Sequence, residues 1–253
     1  MSKTVFITGA TAGFGMAAAR RFAAAQGWNL VLTGRRADRL AELAAELSPK
    51  TPVHTAVLDV RDRAAVARAI DALPGDFAKV HTLVNNAGLA LGLNPAQDCD
   101  LDQWETMVDT NIKGLMTTTR LLLPRLIEQG SGTVINLSSV AARWPYRGGN
   151  VYGATKAFVR QFSYNLRCDL AGTGVRVTSI EPGMAETEFS LVRFEGDETR
   201  AASVYKDAHP LTPQDLAEAI FWVASLPPRV NVNSLEIMPT TQCWQALSVT
   251  RKP

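Results

Sequence analysis

Cysteine is scarce in this chain: Cys99, Cys168 and Cys243 stand far apart among 253 residues, and no CxxC pair occurs. That leaves no support for a dithiol redox motif or a thiolate zinc site, and it fits a reducing, cytoplasmic setting. His54, His81 and His209 are isolated and lack metal-ligand spacing, so no metal is expected. No apolar run approaches the ~18 residues of a membrane span. Met1-Ser2-Lys3-Thr4 leads into a short apolar strand, without the apolar core of a signal peptide. An excess of one charge is missing too: 26 Lys and Arg face 24 Asp and Glu, for a net charge of +2. Such a balance gives no reason to expect a nucleic acid or another polyanion as partner.

Apolar residues are plentiful, at 46% of the chain, which is too apolar for an extended disordered polymer. The length suffices for one large α/β domain or two small ones. Short β-branched or apolar runs at 4–8, 29–33, 53–58, 82–84, 133–137 and 175–180 read as buried parallel strands. Helical spacing fills 14–26, 38–47 and 63–73, and longer helices are expected at 104–128 and 151–171. A helix at 213–225 and a strand at 234–238 complete the pattern. This alternation predicts a doubly wound, Rossmann-type α/β domain, a parallel sheet with helices on both faces. No linker or repeat divides it, so one domain over 1–253 is expected. The polar stretch 186–207 interrupts the rhythm and reads as a covering loop or a short-helix insertion over the substrate.

The first strand runs into Thr8-Gly9-Ala10-Thr11-Ala12-Gly13-Phe14-Gly15, just before a helix. Gly9 permits a tight turn, while Gly13 and Gly15 permit close approach of a pyrophosphate and of the helix. Backbone N–H groups around Thr11, Ala12 and Phe14 then face the phosphates at the positive end of the helix dipole. The second strand ends in Thr33-Gly34-Arg35-Arg36. An acidic residue there would hold the ribose 2′-hydroxyl of NAD, whereas arginine suits a 2′-phosphate. NADP(H) is therefore the expected cofactor, with Arg35 as first contact and Arg36 as second. Asp59 and Val60 end the third strand, where the carboxylate can accept from the adenine amino group. Asn85-Asn86-Ala87-Gly88 ends the fourth, with small residues that admit the nucleotide.

Tyr152 and Lys156 lie at i and i+4 of a predicted helix and so share a face. A nearby ammonium favours the phenolate, which predicts a lowered Tyr152 pKa. Tyr152 can protonate the alkoxide that develops as a carbonyl receives hydride, and Lys156 can hold ribose hydroxyls. Ser139 can orient the carbonyl and stabilise its charge, with Ser138 as the neighbouring alternative. Asn111 either organises a proton path towards Lys156 or is a polar residue that bends its helix.

TGATAGFG, NNAG, Asn111, Ser139 and YGATK, in this order and across nearly the whole chain, resemble the classical short-chain dehydrogenases/reductases. The resemblance implies an oxidoreductase acting between carbonyl and alcohol, with Asn111, Ser139, Tyr152 and Lys156 as its tetrad. It also implies nicotinamide contacts from Pro182, Gly183 and Thr187, and a homo-oligomer, with a tetramer favoured. Within the family, WPY at 144–146, GNVY at 149–152 and LEIMP at 235–239 resemble NADP-dependent 3-hydroxy acid dehydrogenases, which act on malonic semialdehyde, serine or allo-threonine. GMAETEFSLVRF, YNLRCDL and TNIKGLM resemble sulfoacetaldehyde reductases, which form isethionate. Either substrate places an anion near the reacting carbonyl. Arg193 is the first candidate to bind it, followed by Arg143, Tyr146 and Gln242, beside Ser139 and Tyr152 at the carbonyl. Thr241–Trp244 is expected to complete a neighbouring subunit's site. A non-catalytic NADP-binding regulator is the reading of another class; the presence of both Tyr152 and Lys156 speaks against it.

Overall fold

Alternation of side chains along each strand decides where the layers form. In the computed structural model, which describes residues 2–244, β1 (Lys3–Ile7) sends Val5 and Ile7 into one core and Phe6 into the other. The wholly buried β2 (Trp28–Gly34) divides in the same way, with Leu30 and Leu32 facing opposite to Val31. Burial on both faces is what a parallel sheet covered by helices requires. The remaining strands are β3 (Val53–Val57), β4 (Val80–Asn85), β5 (Gly132–Leu137), β6 (Val175–Pro182) and β7 (Ser234–Ile237). Among the described residues all seven pair in parallel in the order β3-β2-β1-β4-β5-β6-β7.

One core gathers residues of α1 (Gly13–Ala23), α2 (Ala37–Leu47) and α9 (Pro213–Ser225), including Phe22, Leu40 and Ile220. The other gathers residues of α3 (Arg63–Asp71), α5 (Leu115–Glu128) and α6 (Asn150–Asp169), including Val66, Leu122 and Leu166. Strand order reverses between β1 and β4, and the crevice at such a switch point is where doubly wound sheets bind ligands. Thr212 and Asp215 form a capping box around Pro213, which fixes the start of α9 where the sequence places it.

The single helix expected at 104–128 is broken. Residues Leu101–Val108 form α4, a π-helical turn covers Asp109–Gly114, and α5 follows. Asn111 causes the break by bonding across to another segment: its Nδ2 donates to the Leu89 carbonyl at 2.8 Å, and its Oδ1 accepts from the Leu89 N–H at 2.9 Å. An extra residue in the turn accommodates that reach, as π-bulges commonly do at functional sites. The stretch 186–207 resolves into two short helices, α7 (Phe189–Arg193) and α8 (Glu198–Ser203). Among the described residues no helix is long and apolar enough to cross a membrane.

Gly114 closes the π turn against β3's exit: a Cβ there would lie 2.7 Å from Val60 Cγ2 and 2.9 Å from Val60 Cβ. Gly114→Ala should therefore destabilise the fold by about 1–3 kcal/mol through overpacking. Adding Val60→Ala should recover part of that loss. Urea denaturation of the two variants checks both, and an unchanged Gly114→Ala would contradict this packing.

Candidate active site

A cavity of about 1380 Å³ opens over the switch point. Its floor is the glycine turn, where Gly9 and Gly13 hold φ of +66° and +50°, a region that L side chains avoid. Helix α1 begins there with Ala12 as N-cap, no side-chain hydrogen bond at the cap and no acid in its first turn. Its first N–H groups thus face the cavity beside Thr11, Ala12 and Phe14, a ready site for phosphate oxygens. Gly15 does another job. It is not part of the lining, and a Cβ on it would press into the Gly9 carbonyl and Asn86, so it serves helix-to-turn packing rather than pyrophosphate approach.

Thr8 was not singled out by its sequence context, yet its Oγ1 accepts from the N–H groups of Asn86 and Ala87, both at 3.0 Å. Asn86 Nδ2 donates back to the carbonyls of Thr8 (2.9 Å) and Gly9 (3.0 Å). The turn and the β4 exit, with Ala87 and Gly88 on the cavity wall, are locked together this way. The signal in the sequence was the buried polar residue itself: a threonine ending an apolar strand needs partners.

The two arginines after β2 divide. Arg36 is spoken for: it donates to Thr11 Oγ1 and carbonyl at 3.1–3.2 Å, and its Nη1 meets Glu188 at 2.9 Å. Arg35 lines the cavity with no hydrogen bond or ion pair among the described residues. Asp59 and Val60 also line it, but the Asp59 carboxylate is gripped by Arg61, whose hydrogen bonds hold its pKa below the usual range. It retains acceptor capacity for a further donor.

Ser139, Tyr152 and Lys156 meet at the carboxyl ends of β5 and β6. Ser138 is excluded as the reactive hydroxyl by its own bond to the Lys156 carbonyl at 2.7 Å. Both serines line the cavity, but Ser139 is the less buried and its hydroxyl donates only a long 3.4 Å bond to the Pro182 carbonyl. The expected lowering of the Tyr152 pKa by Lys156 does not occur in this arrangement. Desolvation pushes the phenol up to about 12, against the opposing pull of the Ser139 hydroxyl and the Arg193 guanidinium. Lys156 is itself brought down to about 8 by desolvation. Its Nζ donates to the Leu137 carbonyl at 2.8 Å and stands 5.8 Å from the Tyr152 ring centroid. Asn111 lies behind this pair, outside the lining, with Nδ2 also on Thr155 at 3.0 Å.

Of the anion candidates, Arg193 stands over the Tyr152 and Phe189 rings, 5.1 Å from each centroid. Its Nη2 donates to the Tyr146 hydroxyl at 3.2 Å, while its buried Nε has no partner. Gln242 accepts from the Met184 N–H at 2.7 Å and lines the same wall, beside Pro182, Gly183 and Thr187. Arg143 departs from expectation. It lies outside the lining, and its Nε is bound to the fully buried Glu181 at 2.6 Å. A glutamate inside a buried strand demands a cation; the one in Ser179-Ile180-Glu181-Pro182 was the overlooked sign. Thr241–Trp244, expected at a neighbour's site, lines the cavity of its own chain.

A family profile described as short chain dehydrogenase matches residues 3–197. The chain belongs to the short-chain dehydrogenase family. Sulfoacetaldehyde reductase 2 of Chromohalobacter salexigens is 63% identical over 252 residues, 99% of this chain and 100% of that protein. Serine 3-dehydrogenase of Agrobacterium fabrum is 56% identical over 252 residues and is matched along 100% of both chains. Among solved structures, the closed form of serine dehydrogenase complexed with NADP+ superposes with a TM-score of 0.96 at 53% identity, covering 98% of this chain and 100% of that one.

The Lys156 environment in this short-chain dehydrogenase has a stability signature. With a folded pKa near 8 against 10.5 for the free side chain, the unfolded chain binds the extra proton between those values. Stability should therefore rise across pH 8–10.5 relative to Lys156→Met, by up to ~1.4 kcal/mol per pH unit. Chemical denaturation of both proteins at pH 7, 9 and 10 measures it; a constant difference would contradict the desolvated ammonium.

Proposed function

We propose that this short-chain dehydrogenase reduces sulfoacetaldehyde to isethionate with NADPH. One observation carries the substrate assignment: the Arg193 guanidinium, with a buried donor left over, lies beside the Tyr152 ring at the reacting centre. An anion one or two bonds from a carbonyl can reach that donor while the carbonyl oxygen meets Tyr152. The 63% identity to a sulfoacetaldehyde reductase supports the sulfonate over other anions.

The residues fit the cofactor. The uncapped start of α1 suits the pyrophosphate, and Arg35 suits the 2′-phosphate, while Arg36 is committed to Thr11 and Glu188. Asp59, Val60, Ala87 and Gly88 border the adenine side; Pro182, Gly183 and Thr187 border the nicotinamide side. NADPH, when bound, supplies the hydride. Ser139 holds the substrate carbonyl oxygen by its hydroxyl, and Tyr152 O–H donates the proton to the developing alkoxide. With its pKa raised by desolvation the phenol is protonated at neutral pH, the state needed to donate to the alkoxide. Lys156 keeps two N–H groups free for ribose hydroxyls after its bond to Leu137, and Asn111 fixes the wall behind it. Arg193, Tyr146 and Gln242 take the sulfonate.

A second reading, a 3-hydroxy acid dehydrogenase, draws on the same guanidinium, which serves a carboxylate equally well, and on the 56% identity to a serine 3-dehydrogenase. The reading also includes a single domain, a homotetramer and a cytoplasmic setting; light scattering of the purified protein decides the assembly.

Steady-state comparison of sulfoacetaldehyde, malonic semialdehyde and serine with each nicotinamide separates the two. The expected kcat/KM is at least about tenfold higher for sulfoacetaldehyde, and higher with NADPH than NADH. The reverse substrate ranking would establish the second reading, and equal use of both nicotinamides would overturn the role of Arg35. Arg193→Met should cost roughly 10- to 150-fold in kcat/KM for sulfoacetaldehyde, the value of a charged hydrogen bond, and leave propionaldehyde nearly unaffected. Tyr152→Phe should lower kcat by about 10²–10⁴ while NADPH binding, followed by fluorescence, persists; normal turnover would remove Tyr152 from its role.

A further inference from the structure

One carboxylate in the cavity wall has no part in the chemistry above. Glu188 stands at the N-terminal end of α7, and its two oxygens meet two arginines of another layer, Arg36 Nη1 at 2.9 Å and Arg39 Nη1. Arg36 in turn holds the glycine turn through Thr11. Just ahead, Thr187 Cβ would lie 3.4 Å from a Cβ on Gly13, so the same segment rests on the phosphate turn. From there α7 crosses the cavity, and its other end carries Arg193, whose carbonyl accepts from the Gly92 N–H at 3.1 Å. The five-residue helix is thus pinned at the 2′-phosphate side by Glu188 and presents the substrate-anion contact at the opposite end.

We propose that Glu188, through Arg36 and Arg39, is a positioning residue that clasps α7 over the dinucleotide and thereby sets Arg193 in the substrate site. The proposal rests on the NADPH reading for its ligand and on Arg193 as the anion contact. Its physical content is a trade in the arginine cluster. Glu188 takes Arg36 and Arg39, and Arg35 alone stays without an acidic partner for the 2′-phosphate. All three side chains of the clasp are about 40% exposed, so its strength is modest and salt-sensitive. A clasp of that strength can hold a helix closed over a bound ligand and still release it. It connects cofactor retention to anion recognition without any contact between Glu188 and the reacting atoms.

The test uses Glu188→Gln and Arg39→Gln in the full chain, because neither replacement touches the core and Arg39 lies outside the cavity lining. Dissociation of NADPH and of NADH is followed by stopped-flow fluorescence, without substrate. Glu188→Gln, which loses both pairs, should release both nucleotides about 3- to 10-fold faster; Arg39→Gln, which keeps the Arg36 pair, should do so by less, and the double variant no faster than Glu188→Gln alone. Raising the salt concentration should speed NADH release in the parent and much less in Glu188→Gln. In turnover, Glu188→Gln should raise KM for sulfoacetaldehyde more than for propionaldehyde, a difference that a general loss of stability would not produce. Unchanged release rates in Glu188→Gln would overturn the clasp. So would tighter NADPH binding with NADH unaffected, which would show that the carboxylate merely competes with the 2′-phosphate. NADH carries no 2′-phosphate, so its release rate reports on the clasp even if the parent fails to prefer NADPH.

Discussion

The chemistry of this chain depends on cations that its own carboxylates leave alone. Of the arginines that line the cavity Arg36 is neutralised by Glu188, and behind the lining Arg39 is held by the same carboxylate, Arg61 by Asp59 and Arg143 by the buried Glu181. Lys156, Arg193, Arg35 and Arg147 line the cavity without a carboxylate partner among the described residues. A charge withdrawn from water without a counterion is costly, and Lys156 shows it in a pKa brought down to about 8. Under the proposed function, ligands would supply the missing partners: a 2′-phosphate at the exposed Arg35, ribose hydroxyls at the buried Lys156 and a substrate anion at Arg193.

Holding those cations in place is the work of ordinary packing. The parallel sheet brings the ends of β1, β2, β4, β5 and β6 to one edge, and α6 presents Tyr152 and Lys156 on one stripe above it. The Ser139 segment is tied to β6 through Arg143 and Glu181, with Ser179 and Ser234 completing the carboxylate's bonds at 3.1 and 2.9 Å. Asn111 spends its side chain on Leu89 and Thr155, and the π turn is the geometric result. These polar groups sit where desolvation would punish any loose end, which is why each is bonded.

Much of this was legible in the sequence. Short apolar or β-branched runs placed every strand to within about two residues, and a helix expected at 213–225 appears as α9 at Pro213–Ser225. The glycine turn and Ser139 were visible because each follows the end of a strand, where local pattern and tertiary position coincide, and Tyr152 and Lys156 because their i, i+4 spacing puts them on one face of α6. What stayed hidden depends on contacts far apart in the chain. The broken helix at Asp109–Gly114 follows from Leu89, 22 residues away. The division of labour between Arg35 and Arg36 follows from Glu188, 152 residues away from Arg36. Arg143 looked available because nothing nearby in sequence claims it, and the pKa of Tyr152 was misjudged because a charge four residues off counts for less than loss of water.

A crystal structure of the chain with NADP+ and isethionate addresses the central claim most directly, since it locates the sulfonate relative to the unpaired cations. The expected result is a sulfonate oxygen within hydrogen-bond distance of Arg193 Nε, with the substrate hydroxyl between Ser139 and Tyr152. A sulfonate bound elsewhere in the cavity, with Arg193 Nε still lacking a partner, would contradict it.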